Sequence, residues 1–196
     1  MIDALRKYFG YTEFRPLQEE TIHALLGGND AFLLMPTGGG KSLCYQLPAV
    51  LMEGVALVVS PLIALMKDQV DQLNAAGIPA TFLNSSLDPI TADERIHALK
   101  RGEYKLLYVA PERLNTSGFL NLLKELPISL FAIDEAHCIS EWGHDFRADY
   151  RELSLLKKRW PKSPLIAMGP SSGRRRPRPA RARRRSGPSP RRRAPS

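Results

Sequence analysis

Met35-Pro-Thr37-Gly38-Gly39-Gly40-Lys41-Ser42 and, much later in the chain, Leu130-Phe-Ala-Ile133-Asp134-Glu135-Ala-His137 decide the fold, because they read as two halves of one nucleoside-triphosphate site. Three successive glycines allow the positive-φ turn in which backbone N–H groups converge on phosphate oxygens. The segment that follows reads as a helix from Lys41, and its N-terminus adds a favourable dipole. Lys41 then offers a point charge to the outer phosphates, and the Ser42 hydroxyl is placed to ligate Mg²⁺, which demands oxygen ligands and hence a carboxylate from elsewhere. Asp134 answers that demand. It follows the apolar run Leu130–Ile133, which reads as a buried parallel strand, so its carboxylate sits at a strand's C-terminal end, where open α/β sheets hold ligands. Glu135 is the candidate to orient or activate the attacking water. Met35 stands where the strict phosphate-loop pattern has Gly, so it is the pair of segments, each after a strand, that makes the signal specific.

Around these two segments, apolar strands and amphipathic helices alternate. Strands are expected at Ala31–Met35, Val55–Ser60, Ala80–Leu83, Lys105–Val109, Leu130–Ile133 and Leu165–Met168. Helices are expected from Lys41, across Leu62–Ala76, near Pro89–Lys100, after Ser117 and around Tyr150–Arg159. Repeated βα units imply an α/β fold, a parallel sheet with helices on both faces. Right-handed crossovers bring all strand ends, and so Lys41 and Asp134, to one edge. No internal repeat is visible.

The chain has 196 residues, enough for one domain with a genuine core. No run of eighteen or more apolar residues is present and the N-terminus lacks a signal-peptide core, which suggests a cytoplasmic protein without membrane contact. Cys44 and Cys138 are the two cysteines; without CxxC spacing they read as free thiols in a reducing compartment. The net charge of +8 misleads until it is divided. Eleven of the 28 Lys and Arg residues fall in 169–196, which has no acid, leaving 17 basic against 20 acidic side chains in 1–168. Residues 169–196 use only Arg, Pro, Ser, Gly and Ala. They lack apolar surface to offset ordering, so the division expected is a lobe at 1–168 and a disordered basic tail at 169–196. Such a tail would hold phosphate backbones without reading sequence, or record an out-of-frame end.

Four more segments carry a family resemblance. Phe9-Gly-Tyr11-Thr-Glu-Phe14-Arg15-Pro16-Leu-Gln18 precedes the phosphate loop; Ser60-Pro61-Leu-Ile-Ala-Leu-Met-Lys67-Asp68-Gln69 follows the second strand; Tyr108-Val-Ala-Pro111-Glu112-Arg113 follows a later one; and Cys138-Ile-Ser-Glu141-Trp142-Gly-His144-Asp145-Phe146-Arg147 follows the acidic motif. From about Leu5 to Ala167 the chain closely resembles the first RecA-like lobe of RecQ-type superfamily 2 DNA helicases. Each segment also has chemistry of its own. Gln18 has an amide suited to the N6/N7 edge of adenine, and Tyr11 and Arg15 offer aromatic and planar cationic faces for stacking. Ser60, Lys67 and Arg113 stand after strand ends, where hydroxyl and cationic groups can hold DNA phosphates irrespective of sequence. Trp142, His144, Phe146 and Arg147 combine rings with a guanidinium, as single-strand binding requires. The resemblance implies that this loop couples DNA contact to ATP hydrolysis, that His137 links the nucleotide site to a facing lobe, and that unwinding runs 3′ to 5′.

The chain departs from the family at two places. Ala148 stands where the family usually has proline, and Met168-Gly-Pro-Ser-Ser172 and the arginines stand where it has a Thr-Ala-Thr segment. A second RecA-like lobe, with its arginines for the γ-phosphate, is then expected to be missing, so the isolated chain should bind ATP weakly and hydrolyse little. Two other readings remain open: an RNA helicase lobe, since Asp-Glu-Ala-His also marks one such group, and a non-motor nucleic-acid binder driven by the arginines.

Overall fold

The computed structural model describes residues 1–136 and 156–171. Six strands, β1 (Ala31–Met35), β2 (Val55–Val59), β3 (Ala80–Leu83), β4 (Leu106–Val109), β5 (Ile128–Ile133) and β6 (Leu165–Pro170), form one wholly parallel sheet in the order β1-β6-β5-β2-β4-β3. β2, β4 and β5 are buried along their whole length, as strands covered on both faces must be, which is why they read as unbroken apolar runs. The helices are α1 (Ile2–Ala4), continued by a π-helical turn at Leu5–Phe9, then α2 (Gln18–Leu26), α3 (Leu43–Leu51), α4 (Ile63–Ala75), α5 (Pro89–Lys100) and α6 (Ser117–Glu125).

Two apolar clusters lie against the sheet. One joins Leu33, Ala56, Val58, Leu130 and Ile166 to Leu25 of α2, Cys44 and Tyr45 of α3 and Met66, Val70 and Leu73 of α4. The other joins Leu57, Leu107, Phe131 and Ile133 to Leu99 of α5, Phe119 and Leu123 of α6 and Leu156. Strand order explains the division. The connections through α3 and α4 step towards β3, whereas those through α5, α6 and helical residues 156–159 step back towards β1. Right-handed crossovers in opposite directions must lie on opposite faces. The α/β architecture expected from the sequence is therefore the one observed.

Ala31–Met35, Ala80–Leu83 and Pro89–Lys100 fold over the residues expected. β6 runs two residues further than its apolar run, because Gly169 pairs with Leu34 and Pro170 with Met35, and the Ser171 N–H donates to Met35 O at 3.1 Å. Pro170 ends the pairing on its own side, having no N–H to give. α1, the π-helical turn and α2 are helices for which periodicity gave no expectation. The helix expected around Tyr150–Arg159 is helical over its described part, 156–159, and the rest of it, like residues 172–196, lies outside the described residues.

Candidate nucleotide site

The phosphate loop leaves β1 and turns sharply: the Gly39 N–H donates to Pro36 O at 2.9 Å, and Gly38 and Gly40 take φ of +77° and +85°. A Cβ on Gly39 would lie 2.8 Å from Pro36 O, so the turn leaves no room for a side chain there. Thr37 is exposed at the loop's tip. Lys41 and Ser42 make a tight first turn, with Cys44 N–H on Lys41 O at 3.0 Å and Gln46 N–H on Ser42 O at 2.9 Å. Ser42 is thus the cap of α3, and Leu43 begins the helix proper.

The acidic half sits at the C-terminal end of β5, held from both sides. The Asp134 N–H donates to Val59 O of β2 at 2.9 Å, and the Ala136 N–H donates to Met168 O of β6 at 2.7 Å. Between them Glu135 adopts φ +49°, a left-handed conformation rare for a side-chain-bearing residue, and its N–H donates to Asp134 Oδ1 at 3.0 Å. Such backbone strain, of order 1–3 kcal/mol, persists where the surroundings over-determine it. Its effect is to aim the carboxylate across the sheet edge: Glu135 Oε1 accepts from Lys41 Nζ at 3.4 Å, joining residues 94 apart in sequence. The two halves read from the sequence meet at one sheet edge.

The segment before the loop closes a cleft of about 640 Å³ lined by Tyr11, Arg15, Gln18, Gly38, Gly40 and Ser42, among others. Tyr11 is 53% exposed, an available aromatic face. Gln18 is 2% exposed, and both ends of its amide are engaged: Oε1 accepts from Arg15 N–H at 2.8 Å and Nε2 donates to Gly40 O at 3.0 Å. Arg15 Nη1 donates to Gly38 O at 2.9 Å. Gln18 and Arg15 therefore grip the phosphate loop itself, so reading an adenine edge through Gln18 entails exchanging the Gly40 bond. No sequence argument foresaw Gln46 and Gln72, which line the same cleft from α3 and α4. The available signal for Gln46 was its place four residues after Ser42, a polar side chain in an otherwise apolar helix.

Ser42 and Asp134, the two candidate Mg²⁺ ligands, are both half-buried at this edge. A hydroxyl and a carboxylate form the hard oxygen donor set that Mg²⁺ takes, and two protein ligands leave room for the waters and phosphates it keeps. Of the DNA candidates, Lys67 is exposed on α4. Ser60 is 3% exposed, with its N–H on Val109 O at 3.0 Å. Arg113 is half-buried, and its Nη2 donates to Asn84 O at 3.3 Å. His137, Trp142, His144, Phe146 and Arg147 lie outside the described residues.

The DEAD/DEAH box helicase model matches residues 15–169. The chain is 52% identical over 167 residues to "ATP-dependent DNA helicase RecQ" of Haemophilus influenzae, covering 85% of this chain and 27% of that protein. It is 49% identical to "ATP-dependent DNA helicase RecQ" of Bacillus subtilis, covering 83% and 28%, and 45% identical to "ATP-dependent DNA helicase Q1" of Pongo abelii, covering 85% and 27%. The chain thus spans about a quarter of the length of these relatives. Among solved structures, the helicase MrfA bound to DNA and AMPPNP superposes with a TM-score of 0.70 at 21% identity, covering 88% of this chain and 26% of that one, a likeness of fold.

Proposed function

Because this chain belongs to the DEAD/DEAH box helicase family and is similar over most of its length to RecQ-type helicases, we propose that it is the ATP- and Mg²⁺-binding motor lobe of a 3′-to-5′ DNA helicase. The observation that carries the reading is the 3.4 Å approach of Lys41 Nζ to Glu135 Oε1 across the ends of β1 and β5. This contact holds the lysine at the sheet edge; a triphosphate would draw Lys41 to its outer oxygens and leave Glu135 to position water. Ser42 and Asp134 would hold Mg²⁺, which neutralises charge developing on the phosphates. Tyr11 and Arg15 would stack on the base. Ser60, Lys67 and Arg113, with Trp142, His144, Phe146 and Arg147, are proposed as the DNA contacts, and His137 as the link to a second RecA-like lobe.

An arginine supplied from a facing lobe is worth ~10³–10⁵ in rate, so this chain alone should bind ATP weakly, hydrolyse it little and not unwind duplex DNA processively. The test is Mg²⁺-dependent binding of a fluorescent ATP analogue to the full chain. Lys41→Ala should weaken binding at least about tenfold, the loss of one charge-assisted phosphate contact. DNA-stimulated turnover by the unsubstituted chain, abolished in Glu135→Gln, would overturn the claim of near-inactivity. The eleven arginines of 169–196 favour a second reading, a binder that works by charge alone. Since β6 reaches Pro170, the discriminating deletion begins at Ser172: if affinity for single-stranded DNA and its salt slope collapse together, charge on that segment dominates.

A further inference from the structure

Behind the nucleotide site, on the α3/α4 face of the sheet, two tyrosines lie in an otherwise apolar cluster. Tyr45 of α3 and Tyr108 of β4 are both fully buried, with ring centroids 6.5 Å apart in an edge-on arrangement. Their hydroxyls are 3.1 Å apart. Tyr45 Oη donates to the carbonyl oxygen Oε1 of Gln69 at 2.8 Å, and Gln46 Nε2 donates to Tyr108 Oη at 3.3 Å. The two amide ends decide the direction of the middle bond. With the Tyr45 proton committed to Gln69, the Tyr108 O–H must donate to Tyr45 Oη, and the chain runs one way: Gln46, Tyr108, Tyr45, Gln69.

A core that needed only volume here would use phenylalanine, since burying a hydroxyl is unfavourable unless it is bonded. Here each tyrosine hydroxyl both accepts and donates, and such chains polarise cooperatively in a low-dielectric interior. Both ends reach functional elements. Gln46 lines the nucleotide cleft from the helix capped by Ser42, and Gln69 sits one turn before Gln72, which lines the same cleft, on the helix that also carries Lys67. Burial raises both phenols, Tyr108 to about 12 and Tyr45 well above its ordinary value, so both remain protonated donors; the charge of Asp134 acts on each in the same direction. The pair therefore stands within electrostatic reach of the acidic motif.

We propose that Gln46, Tyr108, Tyr45 and Gln69 form a positioning relay that couples occupancy of the nucleotide cleft to the placement of α4, and so to the DNA contact at Lys67. The proposal rests on the ATP- and DNA-binding reading above. Filling the cleft moves Gln46; the directed bonds pass that movement to α4, which apolar contacts alone would let slide.

The test measures the affinity of the full chain for a non-hydrolysable ATP analogue with Mg²⁺, without and with saturating oligo(dT). The ratio of the two affinities is a coupling factor, and for linked sites it is typically about 5-fold or more. Tyr45→Phe, Tyr108→Phe and Gln69→Leu should bring the factor close to one while leaving affinity without DNA within about twofold. Gln69→Glu keeps an acceptor for Tyr45 and should keep the coupling, whereas a purely structural role would not distinguish it from Gln69→Leu in this ratio. Gln69 is half-exposed on its helix, so its variants remain informative even if a tyrosine variant fails to fold. An unchanged factor in Gln69→Leu, or a factor of one in the unsubstituted chain with both ligands bound, overturns the relay. Absence of nucleotide binding by the unsubstituted chain instead overturns the reading of the site on which the relay rests.

Discussion

Gly38 and Gly40 share a left-handed backbone, yet the structure makes them unequal. A Cβ on Gly38 would meet nothing within 4 Å, whereas one on Gly40 would lie 2.6 Å from Gln18 Nε2. Gly38→Ala should therefore cost only the conformational penalty of an L-residue at positive φ, about 1–2 kcal/mol. Gly40→Ala adds the displacement of the Gln18 amide and its bond to Gly40 O, for a total of about 2–3 kcal/mol. Urea denaturation of the two variants would measure the difference, and equal losses would show that Gln18 does not brace the loop. The glycines were legible in the sequence because only glycine serves such a turn. The brace was not, since Gln18 and Gly40 meet through a long-range bond that no local pattern encodes.

For the strands and helices, legibility followed how local the signal was. α5 carries a local signal: the Asp88 side chain accepts the Thr91 N–H at 2.9 Å, and proline follows at the first helical position. α2 gave no such sign: its cap position is Leu17, held at φ +71° with no side-chain hydrogen bond, although Glu19 and Glu20 in its first turn suit the dipole. β5 begins two residues before its apolar run, because polar Ser129 is carried into the buried sheet by its neighbours. β6 depends on a tie that crosses the chain: Asp30 Oδ1 accepts from the Leu165 N–H at 2.9 Å and from Lys157 Nζ at 2.7 Å. Asp30→Ala should lower stability by about 1 kcal/mol, mostly through loss of the bond from the Leu165 N–H, because an exposed ion pair contributes little. Asp30→Asn keeps an acceptor and should lose less than half of that in the same denaturation series.

For the lobe as a unit, the buried thiol and phenols predict an alkaline limit. Burial pushes Cys44 from 9.0 up to about 12, and Tyr108 from 10.0 up to about 12. Both groups have folded pKa values above their unfolded ones, so the stability they contribute is whole below pH 9 and is lost as pH rises from 9 towards 12. Denaturation midpoints should fall across that window, and Tyr108→Phe should flatten the fall above pH 10. In a Cys138→Ser background, labelling of Cys44 by a thiol reagent at neutral pH should proceed no faster than the lobe unfolds, because the thiol is fully buried and stays protonated. Rapid labelling in the folded state would show that α3 opens locally.

The chain's own residue order determined the βα alternation, the phosphate loop and the acidic turn, because apolar runs, glycines and a carboxylate after a strand are short-range patterns. Tertiary structure decided what those pieces do together. Strand order placed β6 between β1 and β5, bound their ends through Met168 and Ser171, and brought Lys41 to Glu135. The same assembly joined the Tyr45 and Tyr108 hydroxyls across 63 residues of chain. A hydrogen bond of that span arises from packing a helix onto one face of the sheet, and its partners are chosen by geometry that exists only once the crossovers have closed.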